Sequence, residues 1–421
     1  MKAFIEKSNI AGKVAAPSSK SYTIRALMCA ALAKGESEIV HSLTSDDTEA
    51  AISALEKIGV GIRREKEDWR VSGGNLREPK EDLYCGESAA TLRFMTAICS
   101  IVPGKCRLTV GPSLARRPVK PLVDALRQLG VDASCSGEVA PVIVNGGRLR
   151  GGVAKMRGDI SSQFVTGLLL VAPFAEQNVK LRLTTSLESR PYVLMTIECL
   201  EKFGIKVKYS KAIDEFEVGR QEYRPTRYEV QGDWSSASYF LALGAMAGGV
   251  QVTNLSSESL QGDKMVVDLL RRMGAMVEVG RDSVVVKKSR LKAIRADLTD
   301  CIDLLPTVAA LAAVADGETE LTGIERARLK ESDRVAAVRE GLGRIGIRVV
   351  DAKNKLTITG GKPKGAVIDS RNDHRIAMAF SLLGVLAGDT IIEGAECVNK
   401  TFPEFWAILK GIGGKVRLDG Q

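Results

Sequence analysis

One short pattern recurs six times along this chain: a leucine, two mostly polar residues, an apolar residue and a glycine. The copies are Leu55–Gly59, Leu126–Gly130, Leu200–Gly204, Leu270–Gly274, Leu342–Gly346 and Leu409–Gly413. Differences between successive glycine positions are 71, 74, 70, 72 and 67 residues, so the chain is built from a repeated unit of near-constant length. The leucine and the apolar residue three positions later share one face of a helix. Glycine then supplies a left-handed C-terminal cap. A β-favouring stretch follows in most copies, as in Val60-Gly61-Ile62 and Ile205-Lys206-Val207.

A second series of helices alternates with the first. Its members begin near Ser21, Ser88, Ser161, Ser235, Asp303 and Asp373, with bodies such as Ile24–Ala33, Phe164–Ala172 and Ile376–Ala387. Being apolar nearly all round, these helices belong in the interior. Each unit of the chain therefore reads as strands with one surface helix and one buried helix, an α/β arrangement. Six units divide most simply into two domains of three, crossing near Tyr228–Asp233, although a repeat alone also permits a continuous solenoid.

The N-terminal ends of the buried helices are polar: Ser18-Ser19-Lys20-Ser21, Gly86-Glu87-Ser88, Asp159-Ile160-Ser161-Ser162-Gln163, Gly232-Asp233-Trp234-Ser235-Ser236, Asp300-Cys301-Ile302-Asp303 and Asn372-Asp373-His374-Arg375. Ser, Asp and Asn are favoured N-caps, and Ser235 and Ser236 read equally well as caps. A helix N-terminus is also an anion site, with free N–H donors and the positive end of the dipole. Cations stand on or near several of these starts: Lys20, Arg25, Arg93 and Arg375. Others lie in polar loops: Arg116-Arg117-Pro118, Ser189-Arg190-Pro191, Lys330-Glu331-Ser332-Asp333-Arg334 and Lys400-Thr401. The planar fork of arginine matches carboxylate and phosphate oxygens in pairs. The expected ligands are small, multiply anionic and bound between the domains. Asp303 and Glu331 are the carboxylates placed for proton chemistry, against the simpler alternatives of a cap and an ion pair.

Other chemistries are poorly supplied. Two histidines, His41 and His374, leave little for zinc or a serine-type triad, and the eight cysteines include no C-x-x-C pair. No phosphate loop of the G-x-x-x-x-G-K-[ST] type occurs, and no G-x-G-x-x-G opens a helix after a strand. The net charge of +9 fits a nucleic-acid binder or an enzyme steering small anions. A first segment carrying Lys2, Glu6 and Lys7, with no long apolar run later, predicts a cytosolic protein.

Read together, the motifs resemble the 5-enolpyruvylshikimate-3-phosphate synthases. The resemblance rests on Pro17-Ser18-Ser19-Lys20-Ser21 with Arg25, Asp159-Ile160-Ser161-Ser162-Gln163-Phe164, Ser189-Arg190-Pro191-Tyr192, Gly232-Asp233-Trp234-Ser235-Ser236-Ala237, Lys330-Glu331-Ser332-Asp333-Arg334, Asn372-Asp373-His374-Arg375 and Lys400-Thr401-Phe402-Pro403, in family order across nearly the whole chain. It implies two globular lobes, each of three βαβαββ units with buried helices, joined by a double crossover. Residues 14–228 would form the first lobe, and 1–13 with 229–421 the second. It implies transfer of the enolpyruvyl group of phosphoenolpyruvate to the 5-hydroxyl of shikimate 3-phosphate, with release of phosphate, in chorismate and aromatic amino acid biosynthesis. Shikimate 3-phosphate would meet Lys20, Ser21, Arg25, Ser161, Ser162, Gln163, Ser189, Asp303 and Lys330. Phosphoenolpyruvate would meet Lys20, Ala89, Arg117, Gln163, Arg334, Arg375 and Lys400. Asp303 would be the base, with Glu331 and Lys20 handling the methylene protons. No metal or cofactor, no nucleic acid and no membrane are implied, and a monomer is the family expectation. One departure stands out: the family usually has glycine where this chain has Ala89, a methyl group that should crowd the inhibitor glyphosate. The sister transferase acting on UDP-N-acetylglucosamine typically has Lys-Asn where Lys20-Ser21 stands, and a loop cysteine with no counterpart here. A non-catalytic nucleic-acid binder and a purely structural repeat protein remain the alternatives from other classes.

Overall fold

The computed structural model describes Met1 to Gly420. The chain forms two compact units: Ser18–Val230, and Met1–Pro17 together with the chain from Gln231 onward. Among the described residues each unit carries three four-stranded sheets, all of one topology. In the second repeat, Leu83–Tyr84 runs parallel to Gly104–Thr109 across the Ala89–Ile98 helix. The Lys120–Gln128 helix then leads into the hairpin Asp132–Ser136 and Val139–Gly146, whose second strand pairs antiparallel with Gly104–Thr109. Parallel neighbours require a crossover and a hairpin only a short turn, so one contiguous βαβαββ segment closes this sheet.

Three sheets take a strand from elsewhere in the sequence. Arg227–Glu229 lies parallel to Gly35–Val40. Ile10–Ala15 lies parallel to Gly248–Thr253. Lys2–Glu6 sits between Thr390–Glu393 and Lys415–Asp419, antiparallel to both. The expected division after residue 13 thus cuts through a strand whose ladder extends to Ala15, paired with Thr253.

All six repeat glycines adopt positive φ: Gly59, Gly130, Gly204, Gly274, Gly346 and Gly413 lie between +84° and +103°. Each N–H closes the last helical turn on a carbonyl three residues back, as in Gly59 to Glu56 O at 3.0 Å and Gly274 to Arg271 O at 2.9 Å. A side chain with Cβ would be strained there. The apolar residue before each glycine (Ile58, Leu129, Phe203, Met273, Ile345, Ile412) is buried and pins the turn to its core. Helices of the other series fill the two interiors. All 14 residues of Trp234–Ala247 are buried, as are Tyr22 to Leu32 of the Lys20–Leu32 helix. Fully burying one such large apolar side chain is worth about 1.5–3 kcal/mol, so these helices hold each unit together and fix where their N-termini lie.

Candidate active site

In the unit made of Met1–Pro17 and the chain from Gln231 onward, three cations from two segments converge on Asp303. Its Oδ1 receives Arg334 Nη1 at 2.7 Å and Lys330 Nζ at 3.2 Å, and its Oδ2 receives Arg375 Nη2 at 3.3 Å. Arg334 opens the Arg334–Arg344 helix and is fully buried. Its Nη2 lies 2.5 Å from Glu331 Oε2 and its Nε 2.8 Å from Asp373 Oδ2, so three carboxylates surround one guanidinium. Ser332 Oγ donates to Asp373 Oδ2 at 2.9 Å, and Lys400 Nζ stands 3.9 Å from Glu331 Oε1.

Burial and charge act against each other in this cluster. Burial alone would raise the Asp303 carboxyl, but Arg375, Lys330 and Arg334 outweigh it and hold the group well below the usual carboxylate range. Burial lowers the Lys330 ammonium to about 8, with Asp303 opposing and Arg334 assisting the shift. Burial likewise works against the Arg334 charge, yet Asp373, Glu331 and Asp303 carry the net effect upward.

Of the polar helix starts, Ser88, Ser161 and Asp373 cap their helices, whereas Asp303 and Ser235 do not. Asp303 lies inside the Ile302–Leu304 turn, and the Leu305–Ala312 helix has Leu304 at its N-cap. Asp303 is therefore an ion-pair centre and no cap. Asp233 caps its helix by accepting from Ser236 N at 2.7 Å, which leaves the Ser235 hydroxyl to accept from Arg375 Nη1.

In the Ser18–Val230 unit the N-terminal ends of five helices are tied together by hydrogen bonds. Lys20 Nζ meets Asp47 Oδ2 at 2.7 Å. Asp47 lies in the first turn of Asp46–Lys57, and its carbonyl accepts from Thr91 Oγ1 at 3.3 Å. On the same helix as Thr91, Arg93 donates from Nη1 to Ser161 Oγ at 3.0 Å and Gln163 Oε1 at 2.7 Å, and from Nη2 to Pro118 O at 3.2 Å. Its guanidinium lies 4.8 Å from the Phe164 ring centroid. Ser161 caps Ser162–Val171 by accepting from Gln163 N at 3.3 Å. Arg25 donates to Thr196 Oγ1 at 2.8 Å, to Ser21 O at 2.9 Å and to Tyr192 O at 3.1 Å, which joins the first helix to Arg190–Lys202.

Around this network lie the other expected residues. Ser162 is buried, Ser21 half-buried, and Arg117, 7% exposed, directly precedes the Pro118 carbonyl that Arg93 holds. Ala89 is the first residue of the Ala89–Ile98 helix, just after its Ser88 cap. Ser189 stands at the N-cap of Arg190–Lys202 with φ +54°, a left-handed conformation uncommon for serine and found preferentially where a site over-determines the backbone.

Sequence reasoning missed the partners: Asp47, Arg93 as the holder of Ser161 and Gln163, Asp373 and Ser235. Arg93, Asp373 and Ser235 had a signal, since each stood in or near a polar helix start; Asp47 had none. No group of three or more potential metal-ligating side chains is found among the described residues.

The family model described as EPSP synthase (3-phosphoshikimate 1-carboxyvinyltransferase) matches residues 5–409. The chain belongs to the EPSP synthase family. A 3-phosphoshikimate 1-carboxyvinyltransferase of Dehalococcoides mccartyi strain 195 is 47% identical over 421 residues, all of each chain. One from Methanocaldococcus jannaschii is 41% identical over 417 residues, 97% of each. Among solved structures, an EPSP synthase from Acinetobacter baumannii superposes with a TM-score of 0.83 at 27% identity, covering 99% of this chain and 100% of that one. The enolpyruvyl transferase NikO from Streptomyces tendae shares the fold at a TM-score of 0.78 and 18% identity. As an EPSP synthase family member the chain is a transferase with the six-repeat α/β fold, and among its described residues no helix is long and apolar enough to cross a membrane.

Proposed function

We propose that this EPSP synthase family chain transfers the enolpyruvyl group of phosphoenolpyruvate to the 5-hydroxyl of shikimate 3-phosphate, releasing phosphate, in chorismate and aromatic amino acid biosynthesis. The observation that carries the residue assignment is the pairing of Asp303 with Lys330, Arg334 and Arg375, all charged groups that multiply anionic ligands would attract.

In this reading Asp303 takes the 5-hydroxyl proton as that oxygen bonds to C2 of phosphoenolpyruvate and C3 gains a proton. The tetrahedral product then loses a proton from the new methyl group, the C2–C3 double bond re-forms, and phosphate leaves with the electrons of its C–O bond. Glu331 and Lys20 divide the two proton transfers at C3. Ser21, Arg25, Ser161, Ser162, Gln163, Ser189 and Lys330 hold shikimate 3-phosphate. Lys20, Arg117, Gln163, Arg334, Arg375 and Lys400 hold phosphoenolpyruvate beside Ala89, and Lys20 also touches shikimate 3-phosphate.

The cations of this cluster are already matched by protein carboxylates, which fixes the logic of activation. A substrate phosphate or carboxylate that draws Arg375 or Lys330 away removes part of what holds the Asp303 pKa down. The carboxylate therefore becomes a stronger base as ligands arrive, when a base is required. The same cations then face the charge of the tetrahedral intermediate.

The test is phosphate release from phosphoenolpyruvate with shikimate 3-phosphate, and separately with UDP-N-acetylglucosamine. Release with the first acceptor alone is expected; release with the second alone would discard the assignment. The same proposal takes the protein to be a cytoplasmic monomer without a nucleic-acid partner, which predicts elution near 45.2 kDa on size exclusion.

A further inference from the structure

Glu87 stands in one of the polar helix starts and takes no part in the proposed mechanism, yet its carboxylate collects three donors from a single turn. Its Oε1 accepts from Ser113 N at 3.2 Å. Its Oε2 accepts from Leu114 N at 2.8 Å and from the Ser113 hydroxyl. These donors open the Leu114–Arg116 turn, whose first N–H groups have no partner within the turn itself. The turn closes with Arg117 N donating to Leu114 O at 3.0 Å. Arg117 then leaves it with extended backbone and is buried.

The two segments approach closely. Gly111 N donates to Gly86 O at 2.8 Å, and a Cβ on Gly111 would stand 2.4 Å from Glu87 Oε1. Any side chain at residue 111 would therefore push the carboxylate off the turn. Beyond Arg117 the chain is fixed again. Pro118 O accepts from Arg93 Nη2 at 3.2 Å, and Val119 N donates to Glu138 O at 2.9 Å. Arg117 thus lies between two anchored points, and Glu87 makes the first of them.

We propose that Glu87 is a positioning residue for Arg117: its carboxylate clamps the Ser113–Leu114 backbone and so fixes the turn from which Arg117 extends. This rests on the reading of Arg117 as a phosphoenolpyruvate contact. A carboxylate suits the task because it has two accepting oxygens and no proton to turn against a donor. Bonds to an ionised acceptor are also about twice as strong as neutral ones. A glutamine keeps only one accepting oxygen. Whichever way its amide is turned, an NH2 group faces a donor of Ser113 or Leu114. Part of the clamp then opens, and Arg117 spreads over more orientations before the ligand arrives.

The experiment compares Glu87→Gln, Ser113→Ala and the double variant in the phosphate-release assay. KM for phosphoenolpyruvate should rise about tenfold in Glu87→Gln, the order expected for a lost charge-assisted hydrogen bond. Ser113→Ala removes one donor and leaves the carboxylate, so about threefold is expected. KM for shikimate 3-phosphate should stay within about twofold in both. The double variant should fall short of the product of the single effects, because both residues act through one clamp. Arg116 is exposed in the same turn, so trypsin cleavage after it reports on the unliganded backbone. That cleavage should be about tenfold faster in Glu87→Gln, in line with the opened clamp. Any one of three results would overturn the proposal: an unchanged KM for phosphoenolpyruvate, a loss of kcat with both KM values intact, or an unchanged cleavage rate. Fully multiplicative effects in the double variant would do the same. A wild type that releases no phosphate with shikimate 3-phosphate would instead overturn the parent reading, and the cleavage rates would still judge the clamp. Should Glu87→Gln not fold, Ser113→Ala decides the matter by the same KM and cleavage comparisons.

Discussion

Arg334 Nη1 lies 2.7 Å from Asp303 Oδ1, and the same guanidinium, with none of its surface exposed, also holds Glu331 and Asp373. The proposed base is therefore a structural anion as well as a reactive one. A buried charge that loses its partner costs about 3–5 kcal/mol. Asp303→Ala would leave Arg334, Arg375 and Lys330 crowded around a gap, so both stability and turnover should fall. Asp303→Asn is the cleaner variant: it keeps the shape and some hydrogen bonds but removes the base. Its kcat should drop roughly 10²–10⁴-fold, the usual worth of a general base, measured beside the melting temperature of the same preparation.

The pH dependence of that destabilisation has a definite sign. The folded-state pKa of Asp303 is depressed by the three cations, so its stabilising contribution is present above the unfolded carboxylate value. It is lost as pH falls toward the lower folded value. The difference in unfolding free energy between wild type and Asp303→Asn should thus be flat from about pH 5 upward. It should narrow only in stronger acid. A difference that vanishes already near neutrality would mean the ion pairs do not hold in solution.

How far such features were legible in the sequence depends on their range. Gly59 and its five counterparts could be read because a helix cap is local: three residues of spacing and one glycine state it. Apolar helices such as Trp234–Ala247 were legible for the same reason, since burial on all sides needs no partner to be named. Asp303, Arg334 and Arg375 were each recognised, but their mutual pairing spans 31 and 72 residues of chain, which no local pattern encodes. Asp47 escaped because its two neighbours, Asp46 and Glu49, make it look like ordinary first-turn acidity. Arg93 was recognised as a cation near a helix start, but no local pattern names Ser161 and Gln163, 68 and 70 residues away, as the groups it holds. Where the chain closed a motif on itself the sequence sufficed; where two helix ends met, only coordinates could say which.

Lys330 gives a second titration. Burial lowers its ammonium to about 8, so between that value and the unfolded lysine value the folded state binds fewer protons. Stability should therefore rise with pH across that window. Function moves the opposite way. If Lys330 holds shikimate 3-phosphate as a cation, KM for that substrate should climb above about pH 8. In Lys330→Met it should be high at every pH with no such limb. Steady-state assays from pH 6.5 to about 9.5 separate the two.

Ala89 carries a prediction on inhibition. Its methyl group stands at the first residue of the Ala89–Ile98 helix, 6% exposed. In the proposed reading it faces the phosphoenolpyruvate pocket, where glyphosate, longer than the substrate, needs the space. Removing a single methyl changes discrimination in a packed pocket by about 10-fold or more. Ala89→Gly should bind glyphosate at least about tenfold more tightly, with KM for phosphoenolpyruvate altered far less. The exchange should cost the helix no more than about 1 kcal/mol. Equal or weaker inhibition of the glycine variant would remove Ala89 from the pocket.

Arg93 tests the other unit. One of its terminal nitrogens reaches both Ser161 Oγ and Gln163 Oε1, the other takes Pro118 O, and the guanidinium plane lies against Phe164. A lysine could supply one point charge but neither the fork nor the stacked plane. Gln163 would then be free to rotate, and Ser161 would keep only its capping bond to Gln163 N at 3.3 Å. In the proposed assignment both residues touch shikimate 3-phosphate, and Gln163 also touches phosphoenolpyruvate. Arg93→Lys should accordingly raise KM for shikimate 3-phosphate by about tenfold, near the 1.5–3 kcal/mol of a charge-assisted hydrogen bond. It should raise KM for phosphoenolpyruvate less, because only one of that ligand's partners is loosened. Loss of kcat with both KM values unchanged would show instead that Arg93 supports the core and not the ligand-facing side chains.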